Sequence, residues 1–175
     1  MNGPRPTVTQ IVELLGLEPL PVEGGLFVQT WRSSAGDNHE VVIGTATLAA
    51  FTDDPDSFSA MHRLPVDEMW HFYLGDPVDL VLLHHDGGVS MPRLGHDIAA
   101  GELLQLVVPA GTWMGGALAP EGEWAVFGNT MAPGFRSEMY EGGDAALLIE
   151  EWPGATDQIT RLTRPGHPTT MPPGL

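Results

Sequence analysis

A chain of 175 residues is long enough to bury a core of its own and short enough to be a single domain. Its 23 acidic residues against seven arginines give a formal charge of −16, which repels nucleic acid and other polyanions. With neither lysine nor cysteine, Schiff bases, thiol nucleophiles, thiolate zinc sites and disulfides are excluded, and histidine and carboxylate chemistry remains.

The opening MNGPRPTVTQ lacks a positive start followed by an apolar stretch, and no apolar run approaches the ~18 residues of a membrane span. A cytoplasmic protein with no membrane partner is therefore expected. Thr7 with Gln10 three residues on is a capping-box pattern. Ile11, Leu14 and Leu15 then share one helical face and Gly16 is placed to end it, so a short helix is expected over about 7–16.

Beyond Pro21 the texture changes to short apolar segments. GLFVQTWRS, EVVIGTATLAAF, DEMWHFYLG, VDLVLLHH, LLQLVVP, WAVFGNTM and AALLIEEW read as strands, separated by the turn chemistry of DDPDS, GDP, DGG, PAG, PEGE and APG. Many short strands after one leading helix predict an all-β antiparallel sandwich or small barrel, and the lack of strand–helix alternation argues against a doubly wound sheet. From Gly154 the strand texture gives way to Pro, Thr and Gly. Residues 1–153 are thus expected to form one barrel domain and 154–175 a tail, its last ten or so residues mobile or lying on a neighbour.

The candidate chemistry lies mostly in SAMHRLPVDEMWHFYLGDP. His62 and Glu68 can ligate a metal, act as a base with an orienting acid, or pin a loop. In a regular strand Glu68, Trp70, Phe72 and Leu74 share one face, and Met69, His71 and Tyr73 the other. Glu68 then enters the interior beside aromatic rings, where a carboxylate needs a partner or a raised pKa. His71 points away and reads as structural or interfacial. Glu23, ahead of Gly24–Gly25, reads as a turn acid with some claim to a pocket. Arg32 and Arg63 can pair with nearby acids or clamp a substrate anion. Trp31, Trp70 and Trp113 are core or pocket-wall residues. His84, His85 and His96 flank a hairpin-like stretch and read as solvated, and His167 lies in the tail.

HRLPVDEMWHFYLGDP resembles the first motif of the cupin superfamily: His-x-His, three or four residues, Glu, six residues, Gly. His62, Glu68 and Gly75 stand at the matching places. More closely, it resembles a largely uncharacterised cupin subfamily marked by HR…DE-x-WHFY-x-GDP and PEGG-x-F-x-x-T-[YW]-RS. VEGGLFVQTWRS (Val22–Ser33), VPAGTW (Val108–Trp113) and MAPGF (Met131–Phe135) stand in that subfamily's order, and the likeness spans Ile11 to Trp152.

The resemblance implies a cupin-type double-stranded β-helix (jelly-roll) barrel with a short N-terminal helix, binding a small molecule in its mouth and pairing as a homodimer. Two usual ligand positions depart from the pattern. Leu64 replaces the second histidine and Met114 the last, Gly101 lies eight residues before Pro109 instead of six, and Leu118 takes the downstream polar place. Leucine and methionine are poor ligands for hard divalent ions, so no cofactor is favoured; a divalent metal, if present, would rest on His62 and Glu68.

Some cupin sugar-nucleotide epimerases and isomerases use a histidine base without metal. By that likeness the chain is expected to catalyse a metal-independent isomerisation, epimerisation or related proton transfer on a polar or carbonyl-bearing metabolite. His62 would be the base and Glu68 its partner, with Glu23, Arg32, Trp70, Met114 and Tyr73 around the substrate. Tyr73 and Tyr140, the only tyrosines, are the candidates for an opposing donor. Two alternatives stay open: a divalent-metal cupin with a degenerate site (dioxygenase, decarboxylase or lyase), and a non-catalytic ligand-binding accessory protein.

Overall fold

The structure is a computed structural model describing residues 4–35, 41–166 and 168–173; His167 lies outside the described residues. Helix α1 (Val8–Leu15) starts as the capping box predicts: the Thr7 hydroxyl accepts from the Gln10 amide, and the Gln10 side chain accepts from the Thr7 amide at 2.9 Å. It ends on Gly16 in the left-handed region at φ 64°. Ile11 and Leu17 pack on Ala50, Trp124 and Val126.

Twelve strands follow among the described residues. They are β1 (Glu18–Pro19), β2 (Leu26–Ala35), β3 (Val41–Thr52), β4 (Phe58–Arg63), β5 (Glu68–Gly75), β6 (Val78–Leu83), β7 (Val89–Ser90), β8 (Arg93–Leu94), β9 (Gln105–Val108), β10 (Trp113–Leu118), β11 (Trp124–Met131) and β12 (Glu141–Gly142). One sheet runs β1-β2-β3-β11-β5-β9 and the other β12-β4-β10-β6-β7, with β8 beside β6 and every strand pair antiparallel. The main core, including Phe51, Trp70, Phe72, Leu80, Leu82, Met114 and Phe127, fills the space between the sheets. No helix among the described residues is long and apolar enough to cross a membrane.

AALLIEEW is a helix, not a strand. Helix α2 (Ala145–Glu151) is capped by Asp144, whose carboxylate accepts from the amides of Ala146 and Leu147 at 2.9 and 3.1 Å. Ala145, Leu148, Ile149 and Trp152 fall at helical spacing and pack on the outside of the second sheet. Helix α3 (Thr156–Arg161) continues this layer with Ile159 and Leu162 buried.

The expected tail from Gly154 is therefore partly folded. Beyond α3 it lies on its own barrel: the Thr169 carbonyl accepts from the Gly142 amide at 2.7 Å, and Met171 is buried. The helical layer also explains why β4 and β10 are absent from the strand reading. Both are buried on nearly every side chain, so neither alternates in polarity.

Gly75 closes β5 at φ +96°, and a Cβ there would run into the Trp124 carbonyl and indole ring. Gly87, at φ +82°, has open space around it. Gly87→Ala is expected to cost about 1–2 kcal/mol from the left-handed backbone alone. Gly75→Ala adds the clash and is expected to lower the melting temperature by about twice as much. Equal melting temperatures for the two variants would contradict this account.

Candidate functional site

Strand register assembles the inner face of the first sheet in rows. Glu68 pairs with Met131 and Met131 with Thr45. Two residues along, Trp70, Asn129, Thr47 and Gln29 are successive neighbours across β5, β11, β3 and β2. Two further, Phe72, Phe127, Ala49 and Phe27 form an apolar row. A cavity of about 80 Å³, counted as space open to the centres of water molecules, lies over these rows.

The second sheet contributes Ser59 and His62 of β4. Three residues apart, they would face opposite ways in a regular strand. The pairing of β4 with β10 slips between them, however: His62 lies opposite Met114 and Ser59 opposite Gly116. The bulge turns both side chains inward. It also aims the Ala60 carbonyl at the His62 ring, with 2.8 Å between that oxygen and Nδ1. A carbonyl only accepts, so Nδ1 carries a proton, and in the neutral ring the lone pair is on Nε2. Tyr140 stacks on the imidazole at 5.0 Å between ring centroids and is itself buried. Burial first, and then the Glu23 charge, raise its phenol above the ordinary tyrosine range, so it stays protonated.

Glu68 enters the interior as the alternation of EMWHFYL predicts, with Trp70 and Phe72 buried on the same side. Leu74 leaves that pattern and is exposed, because the β5–β11 register shifts between Phe72 and Leu74. The Trp70 indole donates to Glu68 Oε2 at 2.9 Å. Burial pushes the Glu68 carboxyl up to about 8, the nearby Glu23 pushes the same way, and the Trp70 bond opposes both. At neutral pH Glu68 is a carboxylic acid. It does not hold the His62 ring; the Ala60 carbonyl does.

Glu23 reaches the cavity from the loop after β1, its carboxylate accepting from the Ser59 hydroxyl at 2.7 Å. Its carbonyl accepts from the Ala60 amide at 2.9 Å and from Arg164.

The other expected residues fall elsewhere. Trp70 supports Glu68 and stacks on Phe127 at 5.0 Å but does not line the cavity. Met114 is a buried core side chain beside His62. Arg32 is exposed and donates to the Phe135 carbonyl at 3.2 Å. Tyr73 is on the outer face, half-exposed and stacked with His71, because parity places it opposite Phe72. His71 is structural there: Gln105 donates to its Nδ1 at 3.0 Å, and its Nε2 donates to the Thr130 hydroxyl at 2.8 Å. The sequence reading did not single out Ser59, Gln29, Thr47 and Asn129, whose convergence depends on register across strands.

The residues present do not fit a divalent metal. Among the described residues no three or more histidine or acidic side chains cluster closely enough to hold one. Leu64 faces the cavity where a ligand would be needed, and the Met114 thioether is soft.

Comparison with known proteins gives consistent matches. A family model described as cupin superfamily (DUF985) matches residues 9–142. An uncharacterised Saccharomyces cerevisiae protein is 28% identical over 131 residues, covering 66% of this chain and 65% of that protein, just under two thirds of its length. An X-ray structure of a Shewanella oneidensis protein superposes with a TM-score of 0.83 at 27% identity, over 92% of this chain and 99% of that one. A hypothetical protein from Leishmania major gives a TM-score of 0.81 at 28% identity, over 90% and 99%.

Proposed function

The chain belongs to the cupin superfamily through its DUF985 family, and from that premise we propose that it is a metal-independent enzyme moving a proton beside a carbonyl group, as in isomerisation or epimerisation of a small metabolite. One observation carries the reading: a single cavity holds an imidazole whose Nδ1 is occupied and a carboxyl group kept protonated by burial. Two titratable groups in environments suited to opposite tasks are the pattern of acid–base catalysis.

The roles follow from the chemistry. His62 Nε2 takes a proton from the carbon next to the carbonyl, and the C–H electron pair moves into an enol. Glu68 gives its proton to the carbonyl oxygen as charge builds there. The His62 imidazolium then gives its proton to the former carbonyl carbon while the adjacent hydroxyl gives its proton back to the Glu68 carboxylate, which yields the isomer and restores both groups. The imidazolium is held by the Ala60 carbonyl and by stacking on Tyr140, a positioning residue.

The test is deuterium incorporation from D2O into small hydroxycarbonyl compounds, followed by NMR before and after exhaustive chelation. Exchange is expected at the same rate in both samples. A stoichiometric transition metal whose removal abolishes exchange would overturn the proposal in favour of the metal-dependent alternative. Saturable binding with no exchange would favour the accessory-protein alternative.

A further inference from the structure

We infer that the cavity selects an uncharged polyhydroxylated molecule with one apolar face, and discriminates against phosphorylated or carboxylated relatives. This deepens the proposed function and rests on the same cavity being the site.

The first support is where the positive charge lies. The chain has no lysine, and none of its seven arginines lines the cavity. Two arginines touch lining residues from outside: Arg32 donates to the Phe135 carbonyl, and Arg164 donates to the carbonyls of Glu23, Asp56 and Phe58 and covers the Phe58 ring at 3.7 Å. A phosphate entering here would shed its water with no arginine or lysine to replace it, beside Glu23 and inside a chain of charge −16.

The second support is the wall. Gln29, Thr47 and Asn129 form one row across three strands, and all three line the cavity. The Asn129 side-chain nitrogen is buried and is the one buried side-chain polar atom with no hydrogen-bond partner among the described residues. An orphaned buried donor is costly, and an amide can turn either end toward a ligand. The row behind it, Phe27, Ala49 and Phe127, is apolar. Hydroxyl groups on one edge and a C–H face on the other complement this wall, and no charge is required.

Titration calorimetry with D-glyceraldehyde, D-erythrose and D-xylose, with the terminal phosphate esters of the same sugars, and with glucosamine tests the inference. At least one neutral sugar is expected to bind ten times or more tightly than its phosphate ester and than glucosamine. Asn129→Leu is expected to weaken that binding about tenfold without lowering the melting temperature. Tighter binding of a phosphate or of glucosamine, an unaffected Asn129→Leu variant, or no neutral sugar bound at 100-millimolar order would overturn it.

The two proposals fail separately. A neutral sugar that binds but undergoes no His62-dependent exchange sinks the acid–base function alone. Exchange seen only with a phosphorylated sugar sinks the charge inference alone.

Discussion

The His62→Asn substitution is expected to slow solvent exchange at the reacting carbon by roughly 10²–10⁴-fold, the usual contribution of a positioned general base. Asparagine keeps an N–H that can donate to the Ala60 carbonyl, as Nδ1 does at 2.8 Å, but has nothing at the place of Nε2. Ligand binding should therefore survive while exchange is lost. The paired measurement is NMR-detected deuterium incorporation beside calorimetric binding, on protein whose circular dichroism matches the native form. Exchange within about threefold of native would remove His62 from the mechanism. Part of the ring's packing is lost with the Tyr140 stack, worth about 0.5–1.5 kcal/mol, so a modest fall in melting temperature is expected as well.

For Glu68→Gln the expected result is a gain in stability. The folded carboxyl holds its proton up to about pH 8, whereas an unfolded one releases it near 4.5. Between those values the folded state binds the extra proton, so the contribution of Glu68 is fully present below pH 4.5 and is lost as the pH rises through about 8. At about 1.4 kcal/mol per pH unit, the native protein at pH 7 has lost on the order of 3 kcal/mol relative to pH 4.5. Glutamine stays neutral throughout, and its Oε1 can still accept from the Trp70 indole.

The variant should thus match the native protein near pH 4.5 and exceed it by on the order of 3 kcal/mol at pH 7. Urea unfolding from pH 4.5 to 8 measures the difference, in which the chain's other carboxylates cancel. Parallel stability curves for the two proteins would show that Glu68 is ionised in the fold. Activity should move the other way: native exchange falls above about pH 8 as Glu68 loses its proton, while the glutamine variant is slow and lacks that alkaline fall. A buried acid that lowers stability at working pH is the kind of cost expected of a functional group.

Much of this arrangement was readable along the chain. The capping box at Thr7 and the Gly16 stop mark α1 because capping is local. Alternation in EMWHFYL puts Glu68 and Trp70 inside and Tyr73 outside, so listing Tyr73 near the substrate ran against its own parity. AALLIEEW shows where the residues were ambiguous: a short apolar run serves as strand or helix, and the Asp144 cap was the overlooked signal. β4 and β10 were unreadable for a non-local reason, since residues some thirty or more positions away cover their outer face and erase the polar alternation.

Composition and local patterning by themselves determined which side chains are available for chemistry, the β architecture and the inward carboxylate. Lysine and cysteine are absent, turns and caps act over a few residues, and strand parity has a period of two. Tertiary structure alone decided which residues meet at the candidate site. The β4 bulge brings Ser59 and His62 to one face, a slip visible only against β10. Register across β2, β3 and β11 sets Gln29, Thr47 and Asn129 side by side from segments eighteen to eighty-two residues apart. The folded C-terminal segment carries Arg164 onto the backbone carbonyls of Glu23, Asp56 and Phe58, and no arginine lines the cavity. Pairing partners and buried neighbours lie far away in the chain, and no local pattern encodes which of them will meet.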